Sequence, residues 1–205
     1  MVAIYDVLIL GGGVSGVSCA QILGSAFKKD FAKDKRVGII THQKASMLQD
    51  AVFNNAYGIK PGTLGSTLLK ESLDYLSFYP QISQIEGEKV LSVIKRDHSY
   101  EVLTNKNTYH AHIVVVAVNS SPSFDIEGLK EFVEPHQKSL ASKNRIQLRN
   151  QDHLVAEGIY VAGTLAGHRS QLTIAAGSGA AVATDILTLW NGGVETHSHD
   201  SLRKK

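Results

Sequence analysis

The stretch that most constrains this sequence is residues 5–20, YDVLILGGGVSGVSCA. Val7 to Leu10 form a short apolar run of the kind that makes a strand buried on both faces of a parallel sheet. The run ends in Gly11-Gly12-Gly13-Val14-Ser15-Gly16, a match to G-x-G-x-x-G, and small residues continue through Ser18, Cys19 and Ala20. Each glycine has a physical job in such a turn. Gly11 permits the tight bend, Gly13 lets the backbone approach a pyrophosphate, and Gly16 lets helix and strand pack closely. The helix that follows offers free N–H groups and the positive end of its dipole to the phosphates. Strand, glycines and helix in this order predict dinucleotide binding; a glycine-rich turn without a ligand is the plainer alternative.

Composition narrows the choices. A chain of 205 residues, 43% hydrophobic, suits one globular domain or a domain and a half. At this size it buries roughly 70% of its unfolded surface without a staple. Lys and Arg total 21 against 19 Asp and Glu, which leaves no electrostatic footprint for nucleic acid. The single cysteine, Cys19, excludes an internal disulfide and a Cys-x-x-Cys redox pair. No secretory leader is recognisable, and no apolar run reaches the ~20 residues that span a bilayer. The expectation is a cytoplasmic protein in a reducing compartment.

Residues 14–27 are predicted helix and 28–35 a charged, solvated helix end or insertion. The next strand, 36–41, ends where a Rossmann unit commonly has an Asp or Glu for the ribose 2′-OH. Thr41, His42, Gln43 and Lys44 stand there instead. A hydroxyl or amide there suits a ribose and Lys44 a 2′-phosphate; the alternative is that these are merely solvated residues. Residues 53–65 read as a loop and 66–79 as an amphipathic helix whose leucines are core. Strands are predicted over 82–85, 90–95, 100–104 and 109–118, with a turn at 105–107. His110 and His112 share a strand face, for which a structural role is preferred over a metal pair. A short helix is expected over 126–133, a surface run over 134–144, an edge strand over 145–148 and a buried strand over 159–162. Residues 172–190 form a long helix, in which Gly177 and Gly179 imply close approach to another backbone or to a flat ligand. The tail from Gly192, with His197 and His199, is expected to fray.

Five segments together resemble the flavin domain of thioredoxin reductase-like, FAD-dependent pyridine nucleotide-disulfide oxidoreductases. They are YDVLILGGGVSG; NAYGIKPGTLG, with Asn55, Gly58, Gly62, Leu64 and Gly65; the meander at 82–118, ending in VVVAVNS with Ala117; GIYVAGTLAG at 158–167; and SQLTIAAGSGAAVATDI at 170–186. The resemblance covers roughly residues 4–190. It implies an α/β fold: a Rossmann-type FAD-binding domain with a parallel sheet, a β-meander and packed helices, over 1–191. The family inserts a whole nicotinamide-dinucleotide domain where this chain has only residues 119–158, with no second G-x-G-x-x-G. The redox Cys-x-x-Cys of that domain is absent too, and Thr164 replaces the family's ribityl-binding Asp.

On that resemblance Gly11, Gly13, Val14, Ser15 and Gly16 hold the FAD pyrophosphate and Thr41 and His42 stand at the ribose. Glu86 and Gly87 meet the adenine. Ala117 and Asn55 lie along the cofactor, Asn55 near the isoalloxazine. Gly163 and Thr164 line the ribityl chain. Gln171, Leu172 and Thr173 open a helix whose positive end faces the flavin. The flavin carries the chemistry, so no acid, base or nucleophile is required, and Cys19 is read as packing. Three functions stay open: a minimal FAD oxidoreductase fed by NAD(P)H or a separate redox protein, a non-catalytic flavin- or dinucleotide-binding module, and a plain NAD(P)-binding Rossmann protein. A homodimer is expected, because the missing domain leaves a flank bare.

Overall fold

The computed structural model describes residues 4–42 and 48–199. Lys44 and Gln43 lie outside the described residues. The chain begins with β1 (Ile4–Leu10), α1 (Val14–Ser25) and β2 (Val37–Thr41), followed by the small hairpin β3 (Val52–Phe53) and β4 (Thr63–Leu64). Helix α2 (Gly65–Asp74) runs into a 3₁₀ turn and leads to β5 (Ile82–Glu86), β6 (Val90–Lys95), β7 (Tyr100–Thr104) and β8 (Thr108–Val116). The last part holds β9 (Val133–Pro135), β10 (Ile146–Leu148), β11 (Leu154–Ala156), β12 (Ile159–Val161) and α3 (Leu172–Trp190).

β5, β2, β1, β8 and β12 form a parallel sheet in that spatial order, with β11 antiparallel on the outside. β1 is central, with Val7 opposite Val37 on one side and Ile113 on the other. Its apolar run is fully buried, and alternation sends successive side chains to opposite cores. Val7 and Ile9 meet Val17, Cys19 and Leu23 of α1 and Val182, Ile186 and Leu187 of α3. Leu8 and Leu10 meet Val93, Val102, Leu129, Leu148 and Leu165 on the other face. The meander consists of β6, β7 and β8 alone, whereas β5 belongs to the parallel sheet beside β2. β7 and β12 share one edge of β8: β7 pairs along Thr108 to Ala111 and β12 along Val114 to Val116.

Two further expectations are corrected. Residues 126–133 are not a helix: Glu127 bonds both Leu91 and Val93 of β6 through its backbone, and Gly128 takes φ +83° with its Cβ position 2.0 Å from the Val93 carbonyl oxygen. Backbone groups spent on β6 cannot close helical turns; only a 3₁₀ turn at Lys130–Phe132 forms before β9. Residues 28–35, expected as a helix end or insertion, follow the end of α1 at Ser25 as an insertion of successive turns. The tail over 194–199 has no regular element; Ser25 Oγ of α1 donates to Ser198 Oγ at 2.9 Å, and Lys29 Nζ to the His197 carbonyl at 2.7 Å. α3 is, among the described residues, long and apolar enough to cross a membrane, contrary to the expectation that no run approaches that length. Its Val182, Ala183, Ile186 and Leu187 are nevertheless wholly buried in the core beside α1 and the sheet.

Candidate functional site

The β1–α1 turn sits at the carboxyl ends of the parallel strands, where open α/β sheets bind ligands. Gly11 takes φ +118°, and a Cβ there would meet the Ala117 carbonyl oxygen at 2.5 Å. Gly16 cannot carry a side chain either, because its Cβ position is 1.9 Å from the Gly11 carbonyl oxygen. Gly13 differs: it has an ordinary φ of −80°, and nothing lies within 4 Å of its Cβ position. Two glycines are thus demanded by packing, and the third opens onto free space. Gly13 is also the N-cap of α1, which has no side-chain cap and no acidic residue in its first turn. Its first N–H groups and dipole are left for an anion.

A concavity of about 640 Å³ adjoins the turn, within the usual range for ligand sites. Gly11, Gly13, His42 and Ala117 line it, together with Glu88, Lys89 and the loop Asn119 to Ile126. Lys143 and Arg145 close one side.

The second glycine cluster comes to the first through Ser15. Gly163, at φ +78°, places its Cβ position 2.7 Å from Ser15 Oγ, and its N–H donates to Ser178 Oγ at 2.8 Å. Gly179 lies over the same residue, with its Cβ position 2.0 Å from the Ser15 carbonyl oxygen. Gly177 has nothing within 4 Å. Of the two helix glycines, therefore, only Gly179 serves backbone packing. α3 starts from Gln171 without a side-chain cap or an acidic first turn, so both helices keep unopposed N-termini. Leu172 and Thr173 form the first turn of α3, Val14 that of α1, and Thr164 sits in a 3₁₀ turn.

Other predicted residues stand apart from the concavity. Thr41 is buried, and its hydroxyl donates to the Ile85 carbonyl at 3.4 Å, so it is turned to β5 while His42 lines the cavity. Glu86 ends β5, and Gly87 (φ +67°) donates its N–H to the Thr41 carbonyl. Asn55 is exposed on the loop between β3 and β4 and lines neither described cavity. His112 Nδ1 lies 3.1 Å from the His98 carbonyl oxygen.

Glu88 was not anticipated. Its buried carboxylate accepts from Thr104 Oγ1 at 2.5 Å, Asn107 Nδ2 at 2.8 Å and Tyr109 OH at 2.9 Å. Burial opposes its charge, but those hydrogen bonds and nearby Lys106 hold it below its ordinary value. Tyr109 is pushed up to about 12 by burial and by Glu88. The network fixes one wall of the cavity to the meander. Its sequence signal was one of two acids, with Glu86, between two strand runs, which spacing cannot distinguish from a solvated turn.

The site fits the pyrophosphate of FAD: an open glycine cradle, an uncapped helix N-terminus and a cavity of suitable size. Thr164, in the 3₁₀ turn after Gly163, offers a hydroxyl, a weaker hydrogen-bonding group than a carboxylate.

Several solved structures share the fold. A thioredoxin reductase from Gloeobacter violaceus superposes with a TM-score of 0.70, at 14% identity over 97% of this chain and 99% of that one. An oxidoreductase from Agrobacterium tumefaciens gives 0.70, at 12% identity over 91% of this chain and 99% of that one. A ferredoxin-flavin thioredoxin reductase from Clostridium acetobutylicum gives 0.67, at 16% identity over 91% and 98%. A comparison with curated proteins finds no match. The family model described as pyridine nucleotide-disulphide oxidoreductase matches residues 5–167, from the first strand to Gly167. This chain belongs to the pyridine nucleotide-disulphide oxidoreductase family.

Proposed function

We propose that this protein is a minimal FAD-binding oxidoreductase that takes electrons from NAD(P)H or from a separate redox protein. The observation that carries the reading is the meeting of the two glycine clusters at Ser15, where Gly163 faces Ser15 Oγ and Gly179 faces its carbonyl. A single NAD(P)-binding unit needs only the first cluster; a flavin dinucleotide, longer by its ribityl and ring portions, uses both.

When bound, the flavin supplies reversible electron transfer. Gly13 and the N–H groups of Val14, Ser15 and Gly16 would hold the pyrophosphate. His42 would stand at the ribose and Ala117 along the turn. Gly163 and Thr164 would line the ribityl chain. The uncapped start of α3, at Gln171, Leu172 and Thr173, supports negative charge on the ring edge through its dipole. Cys19 is wholly buried, and burial pushes its thiol far up. It is unsuited to attack or to disulfide exchange.

A second reading, a flavin-binding module without turnover, is favoured by residues 119–158, which hold only β9, β10 and β11 where the family carries a second dinucleotide fold. A homodimer in a reducing, cytoplasmic setting fits either reading. Exposed Val52, Tyr57, Leu64, Tyr75 and Phe78 supply apolar surface for a dimer contact.

The test is purification followed by absorbance titration with FAD. A yellow protein, or stoichiometric FAD uptake, is the expected result. Gly13→Val should abolish uptake while costing apo-protein stability only about 1 kcal/mol, since its side chain enters open space and the loss is that of a favourable N-cap residue. A protein that takes up no FAD refutes the flavin reading. Rapid bleaching of the flavin by NADH or NADPH in stopped flow separates enzyme from module.

A further inference from the structure

Residues within 136–145 and 168–171 line a second concavity of about 280 Å³. Its lining carries Lys138, Lys143, Arg145 and Arg169 and not one acidic residue. Among the described residues none of these four cations has a carboxylate within salt-bridge distance; what sets them apart is their convergence on one hollow. Like charges repel, and a chain with 19 acids against 21 bases has acids available to neutralise such a cluster. Four cations left facing one hollow point to an anion supplied from outside.

The hollow is built, not accidental. It lies between the turn after β9 and the turn after β12, and His136 ties the two together. The buried His136 ring accepts the Lys138 backbone N–H at Nδ1, 3.2 Å away, so its proton sits on Nε2 and is donated to the His168 carbonyl at 3.2 Å. Burial, and then neighbouring His153, Lys138 and His136, hold His168 below its usual value. The positive field in the hollow comes from the four cations that line it. Ser139 and Ser170 add hydroxyls. Lys143 and Arg145 also line the larger cavity beside the glycine turn, and Gln171 is the N-cap of α3.

We propose that this basic hollow binds the phosphoryl groups of a small-molecule co-substrate, placing the rest of that molecule beside the flavin end of the site. Four cations exceed what one carboxylate needs, and the paired donors of arginine suit phosphoryl oxygens. The volume holds phosphoryl groups but not a whole dinucleotide, so the remainder lies outside the hollow, past Gln171 at the start of α3. The role as a co-substrate site rests on the flavin reading; the anion chemistry does not.

The experiment is calorimetric titration of the protein with inorganic pyrophosphate, with and without saturating FAD, at low ionic strength. A saturable site that depends on Lys138 and Arg169 is expected in both conditions, weakening as salt rises; without FAD the glycine turn adds a second site that FAD removes. Lys138 and Arg169 line only this hollow and are exposed, so Lys138→Gln with Arg169→Gln should weaken pyrophosphate at least tenfold and leave FAD uptake unchanged. Absence of saturable binding, or wild-type affinity in the double variant, overturns the proposal. So does pyrophosphate binding that saturating FAD removes entirely, because the anion then occupies only the glycine turn. Should the wild type take up no FAD yet bind pyrophosphate through Lys138 and Arg169, the flavin reading fails and the anion site stands.

Discussion

Gly177 and Gly179 lie two residues apart on α3 and should respond to alanine with opposite signs. Both are inside a helix, so alanine brings the same intrinsic gain of about 0.5–1 kcal/mol. For Gly177→Ala that gain is the whole effect, because the new methyl meets nothing within 4 Å. For Gly179→Ala the methyl would sit 2.0 Å from the Ser15 carbonyl oxygen, 2.8 Å from its carbon and 3.0 Å from its Cα, where ordinary contact begins near 3.4 Å. All three atoms are backbone, so no rotamer relieves the overlap and α3 must move off α1. Overpacking of this kind costs typically 1–3 kcal/mol and occasionally more, which outweighs the propensity gain and leaves a net loss of about 1 kcal/mol or greater. For a chain of this size each kcal/mol moves Tm by about 2–4 °C. Thermal denaturation should place Gly177→Ala a few degrees above wild type and Gly179→Ala several below. Because Ser15 sits in the first turn of α1, the second variant should also take up FAD less tightly. Equal shifts of the same sign, or a Gly179→Ala protein as stable as wild type, would refute the packing described for Ser15.

Other outcomes follow from single residues. Gly11→Ala should destabilise more than Gly13→Val, because Gly11 combines φ +118° with a backbone contact at 2.5 Å; about 1–3 kcal/mol by chemical denaturation is the expected loss. Glu88 is held below its ordinary pKa in the folded state, so the stability it contributes is complete at neutral pH and disappears as pH falls through that depressed value. Glu88→Gln should therefore lower Tm at neutral pH and flatten its decline in acid; an unchanged pH profile would contradict the network with Thr104, Asn107 and Tyr109. Cys19 should resist alkylation until the protein unfolds, and Cys19→Ala should leave FAD uptake and any electron-transfer rate intact. Light scattering over a dilution series tests the dimer, which a monomer at every concentration would exclude.

The parallel framework was legible in the sequence because fully buried strands are short uninterrupted apolar runs, as in Val7 to Leu10 and Ile113 to Val116. Glycine spacing likewise announced the β1–α1 turn. What was not legible depends on contacts distant in sequence. Residues 126–133 carry helical periodicity, yet β6 claims their backbone. The direction of the Thr41 hydroxyl depends on β5, and the polar composition of the tail conceals its contacts with Ser25 and Lys29. The anion hollow gathers four basic residues from two separated turns, a convergence that no local pattern encodes.

The edge that β8 shares between two partners also bears on how this architecture can vary. The chain leaves β8 after Val116 and returns in β12, hydrogen-bonded beside the same strand at Val114 to Val116. Departure and return points are therefore neighbours in space, and the sheet closes whatever lies between them. Lengthening such a detour raises the closure cost only logarithmically, by about 0.6 kcal/mol per doubling. Residues 117–158 thus behave as a socket in the framework. A ribbon such as β9 and β10 can fill it, and an entire folded unit could replace that ribbon without disturbing the register of a single parallel strand.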